Sequence, residues 1–137
     1  MKKSLKNRLQ NEFSAINEQI NLNEKDDSIE IIFGTTYDDK NKTPIQILLI
    51  EREDFIELGD EGLTFKYLDE IFELGEEDVK KNVKAITDFY EVDIIEVNPI
   101  IDSYIIKKVE NDSNILVELL KFHDCIGFLN AMKIFYV

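Results

Sequence analysis

Apolar residues along this chain follow two periods, one near 3.6 and one of 2, and the switches between them mark out its elements. Leu5, Leu9, Phe13, Ile16 and Ile20 recur at spacings of four and three. That predicts an amphipathic helix over roughly Ser4 to Asn21, with its bases at the N-terminal end. The polar stretch NLNEKDDS reads as a connector. Ser28 to Tyr37 and Pro44 to Arg52 then alternate as two strands of a hairpin, marked by Ile29, Ile31 and Phe33 on the first and Ile45, Ile47 and Leu49 on the second. Leu48 and Ile50 give the second strand another apolar face, as in a central strand covered on both sides. Phe55 to Leu58 predicts a short third strand, entered by a tight turn at Glu53-Asp54.

A helical period returns with Leu68, Ile71 and Phe72, in a short helix that Thr64 is placed to cap and that ends near Gly75. Val79, Val83, Ile86 and Tyr90 mark a second helix from about Glu76, with Glu76, Glu77 and Asp78 in the first turn, where the helix dipole favours them. Strand character resumes over Val92 to Val97, breaks at Asn98-Pro99, and returns over Ile101 to Val109. Asp112 or Ser113 then caps a last helix, on which Ile115, Leu119, Phe122, Ile126 and Leu129 keep a strict spacing through about Met132. Leu116 and Leu120 widen its stripe, so it reads as well buried. The order α-β-β-β-α-α-β-β-α predicts an α+β fold, a mainly antiparallel sheet with helices packed on one face, in a single domain over residues 1–137.

Charge changes this picture in one place. The chain of 137 residues has a net charge of −13, and residues 51–78 hold twelve acids against two bases, Arg52 and Lys66. Residues 1–8 carry four bases and no acids, which leaves the rest of the chain at −17. Such a surface repels nucleic acid and anionic membranes, and attracts basic proteins, including those that handle nucleic acid. One cysteine, Cys125, excludes an internal disulfide and fits a reducing compartment. No apolar run follows the basic start, so neither a signal peptide nor a membrane span is expected, and the expected location is cytoplasmic.

Within the acidic stretch, Gly59 and Gly62 flank Asp60-Glu61, a turn in which glycines allow a positive φ ahead of the Thr64 cap. A strand pair, a short strand, Asp60-Glu61-Gly62-Leu63-Thr64, then a helix with Tyr67-Leu68 resembles a family of uncharacterised bacterial and phage domains that share a D-x-G-x-T turn after three strands. The resemblance covers roughly residues 25–95 and implies a prokaryotic or mobile-element setting. It brings no activity and no catalytic residues, and the dense acidity of this chain departs from the plain pattern. In layout alone the chain is also similar to the acidic dimeric chaperones of bacterial secretion systems.

Chemistry finds little footing. His123 and Cys125 are single residues of their kinds, two positions apart on a helix and so about 200° apart around it, which excludes a nucleophilic pair from this segment. The loop Asp38-Asp39-Lys40-Asn41-Lys42 lacks the glycine and distal Glu of a calcium loop and reads as turn chemistry. Gly59 and Gly62 are flanked by acids that would repel phosphate. Carboxylate-bound magnesium near Asp60 and Asp69 is the weaker alternative to plain surface charge, and no catalytic residue, metal or cofactor is expected.

The expected function is a non-enzymatic acidic protein-binding module. In its most specific form it is a phage or mobile-element inhibitor that imitates nucleic acid to block a basic, nucleic-acid-handling defence protein. Glu53, Asp54, Asp60, Glu61, Asp69, Glu70, Glu73, Glu76, Glu77 and Asp78 would form the partner-binding face, and Gly59, Gly62 and Thr64 the structural turn. The alternative is a dimeric, chaperone-like adaptor that binds through an apolar surface, with a carboxylate enzyme third.

Overall fold

The computed structural model describes residues 20–24, 28–70 and 73–132 of the chain. Six strands, β1 (Ile20–Glu24), β2 (Ser28–Thr36), β3 (Pro44–Glu51), β4 (Phe55–Gly59), β5 (Asp93–Ile95) and β6 (Tyr104–Glu110), form one sheet in the order β1-β2-β3-β4-β6-β5. Every neighbouring pair is antiparallel. Three helices accompany it, α1 (Leu63–Leu68), α2 (Glu77–Phe89) and α3 (Ile115–Ala131), with a 3-10 turn at Ile100–Asp102. The expected α+β class is present, and from β2 onward the elements come in the expected order.

Alternation explains the packing. Ile29 lies opposite Leu49, Ile31 opposite Ile47, and Leu49 in turn opposite Leu58, so the buried residues of β2, β3 and β4 share one face. Ile105 and Val109 extend that face onto β6. Phe65 and Leu68 from α1, Val79 and Val83 from α2, and Ile115, Leu119, Phe122, Ile126 and Leu129 from α3 close over it as one core. On the opposite face Ile32, Leu48 and Ile50 are half-buried.

Several boundaries differ from the expected ones, each for a local reason. Ile20–Glu24 was expected to end a helix and begin a polar connector, but it pairs along β2 from Ile20 opposite Phe33 to Glu24 opposite Ile29. A ladder needs only backbone groups, so polar residues do not prevent an edge strand. The rest of the expected first helix, residues 4–19, lies outside the described residues, as do Ile71 and Phe72 of the expected helix stripe. The strand expected from Ile101 begins at Tyr104, because Ile100–Asp102 makes a 3-10 turn after Pro99. Asn114 caps α3, where Asp112 or Ser113 was expected, and its side-chain oxygen accepts the Val117 N–H at 3.0 Å. Helix α2 stops where Glu91 turns left-handed (φ 57°), as the Val92 N–H reaches the Thr87 carbonyl and the Glu91 N–H that of Asp88.

Candidate functional site: an acidic end of the sheet

The geometry of the site starts from the turn between β4 and α1. The Leu63 N–H closes it on the Asp60 carbonyl at 3.2 Å, with Glu61 at φ 58° and Gly62 at φ 74° between them. Two successive positive φ values suit glycine, asparagine or aspartate, and Gly62 meets that need as expected. Gly59 does not. It ends β4 as an ordinary strand residue, and Glu61 takes the first left-handed position.

Asp60 holds the corner together. Its Oδ1 accepts the Gly62 N–H at 2.9 Å and the Ile105 N–H at 3.2 Å, and its Oδ2 accepts the Thr64 N–H at 3.0 Å. It therefore ties the start of α1 to β6 and satisfies helix amides that have no partner within the helix. Burial pushes this carboxyl above the ordinary aspartate range, although the three amides pull the other way. Thr64, expected as the cap, makes no capping bond. It is buried, and its hydroxyl shares a hydrogen bond of 3.0 Å with the hydroxyl of buried Tyr37. The cap is Asp60, acting from ahead of the helix.

The expected partner-binding acids divide into three groups. Asp60 is fully buried and leaves the binding face. Glu53 and Asp54 form the β3–β4 hairpin, where the Arg52 N–H meets the Phe55 carbonyl at 2.8 Å. Strand β4 runs from that hairpin to the Asp60 turn, so they sit at the opposite end of the sheet, roughly 17 Å away at about 3.3 Å per residue. The remaining seven are all exposed, Glu61 in the β4–α1 turn, and Asp69, Glu70, Glu73, Glu76, Glu77 and Asp78 on the corner that joins α1 to α2. Buried Leu68 and Leu74 pin that corner to the core.

Topology adds acids that local reading missed. Strand β5 runs from Asp93 opposite Ile106 to Ile95 opposite Tyr104, which carries the chain past the Gly59 end of β4. Exposed Glu96 and Asp102 follow it there, and the 3-10 turn packs against α1. No spacing in the sequence signals this, because only the strand order brings residues 96–102 beside residues 61–78. A groove of about 510 Å³ runs between α2 and this segment. Leu74, Val83, Ile94 and Ile100 are among its apolar walls, with Lys80 and Lys81 at the rim. The acidic end is thus bounded by bases on α2.

Elsewhere the chemistry is structural. Cys125 is fully buried, and burial pushes its thiol up to about 12, far from a reactive thiolate. His123 points away to Thr35, with Nε2 and Oγ1 2.5 Å apart, and its ring packs on Phe33 at 4.4 Å. Asp39 organises the β2–β3 loop by accepting the Thr43 amide at 2.7 Å and the Thr43 hydroxyl at 2.8 Å, which is turn chemistry. Lys107 is buried on the core face of β6, where it meets the Tyr90 carbonyl at 2.9 Å and Glu118 at 3.1 Å. Among the described residues no group of three or more His, Cys, Asp and Glu side chains converges as a metal site, and no helix is long and apolar enough to cross a membrane. Comparison of the chain with protein-family models, with curated proteins and with solved structures returns no match.

Proposed function

We propose that this chain is a non-enzymatic acidic protein-binding module whose partner is basic, and that it acts by occupying that partner's nucleic-acid-binding surface. The observation that carries this reading is the cluster of exposed carboxylates at one end of the sheet, Glu61 in the turn that Asp60 organises and six more on the α1–α2 corner, beside buried Leu68 and Leu74. Glu61 adds to it, because a glutamate holds a left-handed backbone position at a cost of about 1 kcal/mol. A partner that normally binds phosphates meets here a dense array of negative charge, as electrostatic complementarity requires. The bacterial or phage setting rests on the resemblance of the D-x-G-x-T turn, and an inhibitory role against a nucleic-acid-handling defence enzyme rests on the negative charge that would imitate nucleic acid.

A titration with an oligo-arginine peptide at increasing sodium chloride tests the reading. Binding that weakens steeply with salt supports it, and binding that is absent or insensitive to salt contradicts it. The adaptor reading has one observation of its own, the exposure of Phe89, Val117, Leu120 and Phe128. Binding by that surface would change little with salt.

A further inference from the structure

Helix α3 is apolar on nearly every side, yet one side faces solvent. A helix of that composition is normally covered all round. Val117 is 44% exposed, Leu120 40% and Phe128 58%. At 100° per residue these three, with Lys121, Asp124 and Ala131, fall within about 100° of arc on the outward side. One acid and one base, Asp124 and Lys121, make this stripe nearly neutral on a chain of net charge −13. A row of rings extends it sideways, Phe128 lying 5.9 Å from Tyr90 and Tyr90 5.0 Å from Phe89.

The stripe is complementary to itself, and we infer that its occupant is a second copy of this chain, paired antiparallel through α3 about a two-fold axis at Asp124. Asp124, Gly127, Phe128 and Ala131 stand at i, i+3, i+4 and i+7, the four corners of a hole that accepts one side chain of a facing helix. A hollow of about 310 Å³ is present there, lined by those four residues and His123. A Cβ built on Gly127 meets nothing within 4 Å, so the floor of the hole is open. At about 1.5 Å per residue, Leu120 lies as far before Asp124 as Phe128 lies after it, and Val117 as far before as Ala131 after. An antiparallel copy related by the axis therefore sets its Leu120 into the hole and its Val117 against Ala131, large against small, twice over.

Charge agrees with this register. The two Asp124 carboxylates face each other at the axis, and each Lys121, one turn away and 54% exposed, reaches the Asp124 of the opposite copy. A single helix pair falls at the low end of stable interfaces, roughly 1,200 Å² in total, so a readily reversible dimer is expected. It leaves the acidic corner of each copy free, and this inference does not depend on what that corner binds.

Sedimentation equilibrium of the full chain in moderate salt should show a monomer–dimer equilibrium. Leu120→Glu should weaken it roughly tenfold or more with the circular dichroism unchanged. Lys121→Glu, which turns both Lys121–Asp124 contacts across the axis into repulsions, should weaken it about threefold. Register is read by disulfide formation in a Cys125→Ala background. Asp124→Cys should cross-link two copies under mild oxidation. Val117→Cys should not, because its two sites lie roughly 21 Å apart along the axis. A chain that stays monomeric at high concentration, cross-linking at residue 117 equal to that at 124, or none at 124, overturns the proposal.

Discussion

At the scale of single residues, the corner depends on Asp60 more than on the glycines beside it. Asp60→Ala leaves the amides of Gly62, Thr64 and Ile105 without their acceptor. The expected loss is about 3 kcal/mol or more, measured by chemical denaturation. Gly62→Ala should cost about 1 kcal/mol, because its φ of 74° is unfavourable for any side chain although the space beyond is open. Asp60 and Gly62 are legible in the sequence as a deliberate motif, but their division of labour is not. Which atom of the motif accepts hydrogen bonds depends on β6 arriving from residue 105, and Asp60 looks like a surface acid until it does.

His123 offers a second residue-scale test. Burial pushes its pKa below the ordinary 6.5, although neighbouring Asp124 pulls it up. A base with a depressed folded value supports the fold fully above its unfolded value and loses that support as pH falls through the folded one. The stability advantage of wild type over His123→Gln should therefore be greatest at neutral pH and above, and shrink below about pH 6.5. Melting temperatures of both proteins across that range check this. The comparison cancels the carboxylate titrations that the two share, and a constant difference would mean that His123 keeps its ordinary value in the fold.

At the scale of elements, period was a good guide to type and a poor guide to burial and ends. Alternation identified β2, β3, β4 and β6, since their inward residues share one face, and spacing identified α2 and α3. Strand β1 was hidden because backbone pairing with β2 leaves no mark on polar side chains. On α3, Leu116 and Leu120 read as a wider buried stripe. The helix rests on the sheet by one side only, however, and Leu120 faces out. Adjacent leucines make the distinction measurable. Leu119→Ala should destabilise by about 3 kcal/mol, since Leu119 is fully buried, and Leu120→Ala by less than about 1.

At the scale of the whole molecule, the sequence shows how much charge there is and the fold decides where it goes. The ten acids read as one face occupy two ends of the sheet and its interior, while Glu96 and Asp102 join the α1–α2 corner from residues outside the acidic stretch. The length of β4 sets Glu53 and Asp54 apart, whereas Glu96 and Asp102 reach the corner only through strand order, a long-range property that no local pattern encodes. Crowding of like charges at the corner also predicts that sodium chloride raises the melting temperature near neutral pH by screening, relative to an uncharged osmolyte.

The role of the corner is tested most directly by two variants of equal charge. One replaces Asp69, Glu70, Glu73 and Glu77 with their amides, and the other replaces Glu53, Asp54, Glu110 and Asp112, which are exposed and lie at or beyond the opposite end of β4 and β6. Both should fold as the wild type does. Association with an oligo-arginine peptide, followed by stopped flow, should slow markedly for the first variant and only slightly for the second, since charges at a binding face act chiefly through steering. Equal slowing in the two variants, or none in the first, would contradict a binding role for the acidic corner.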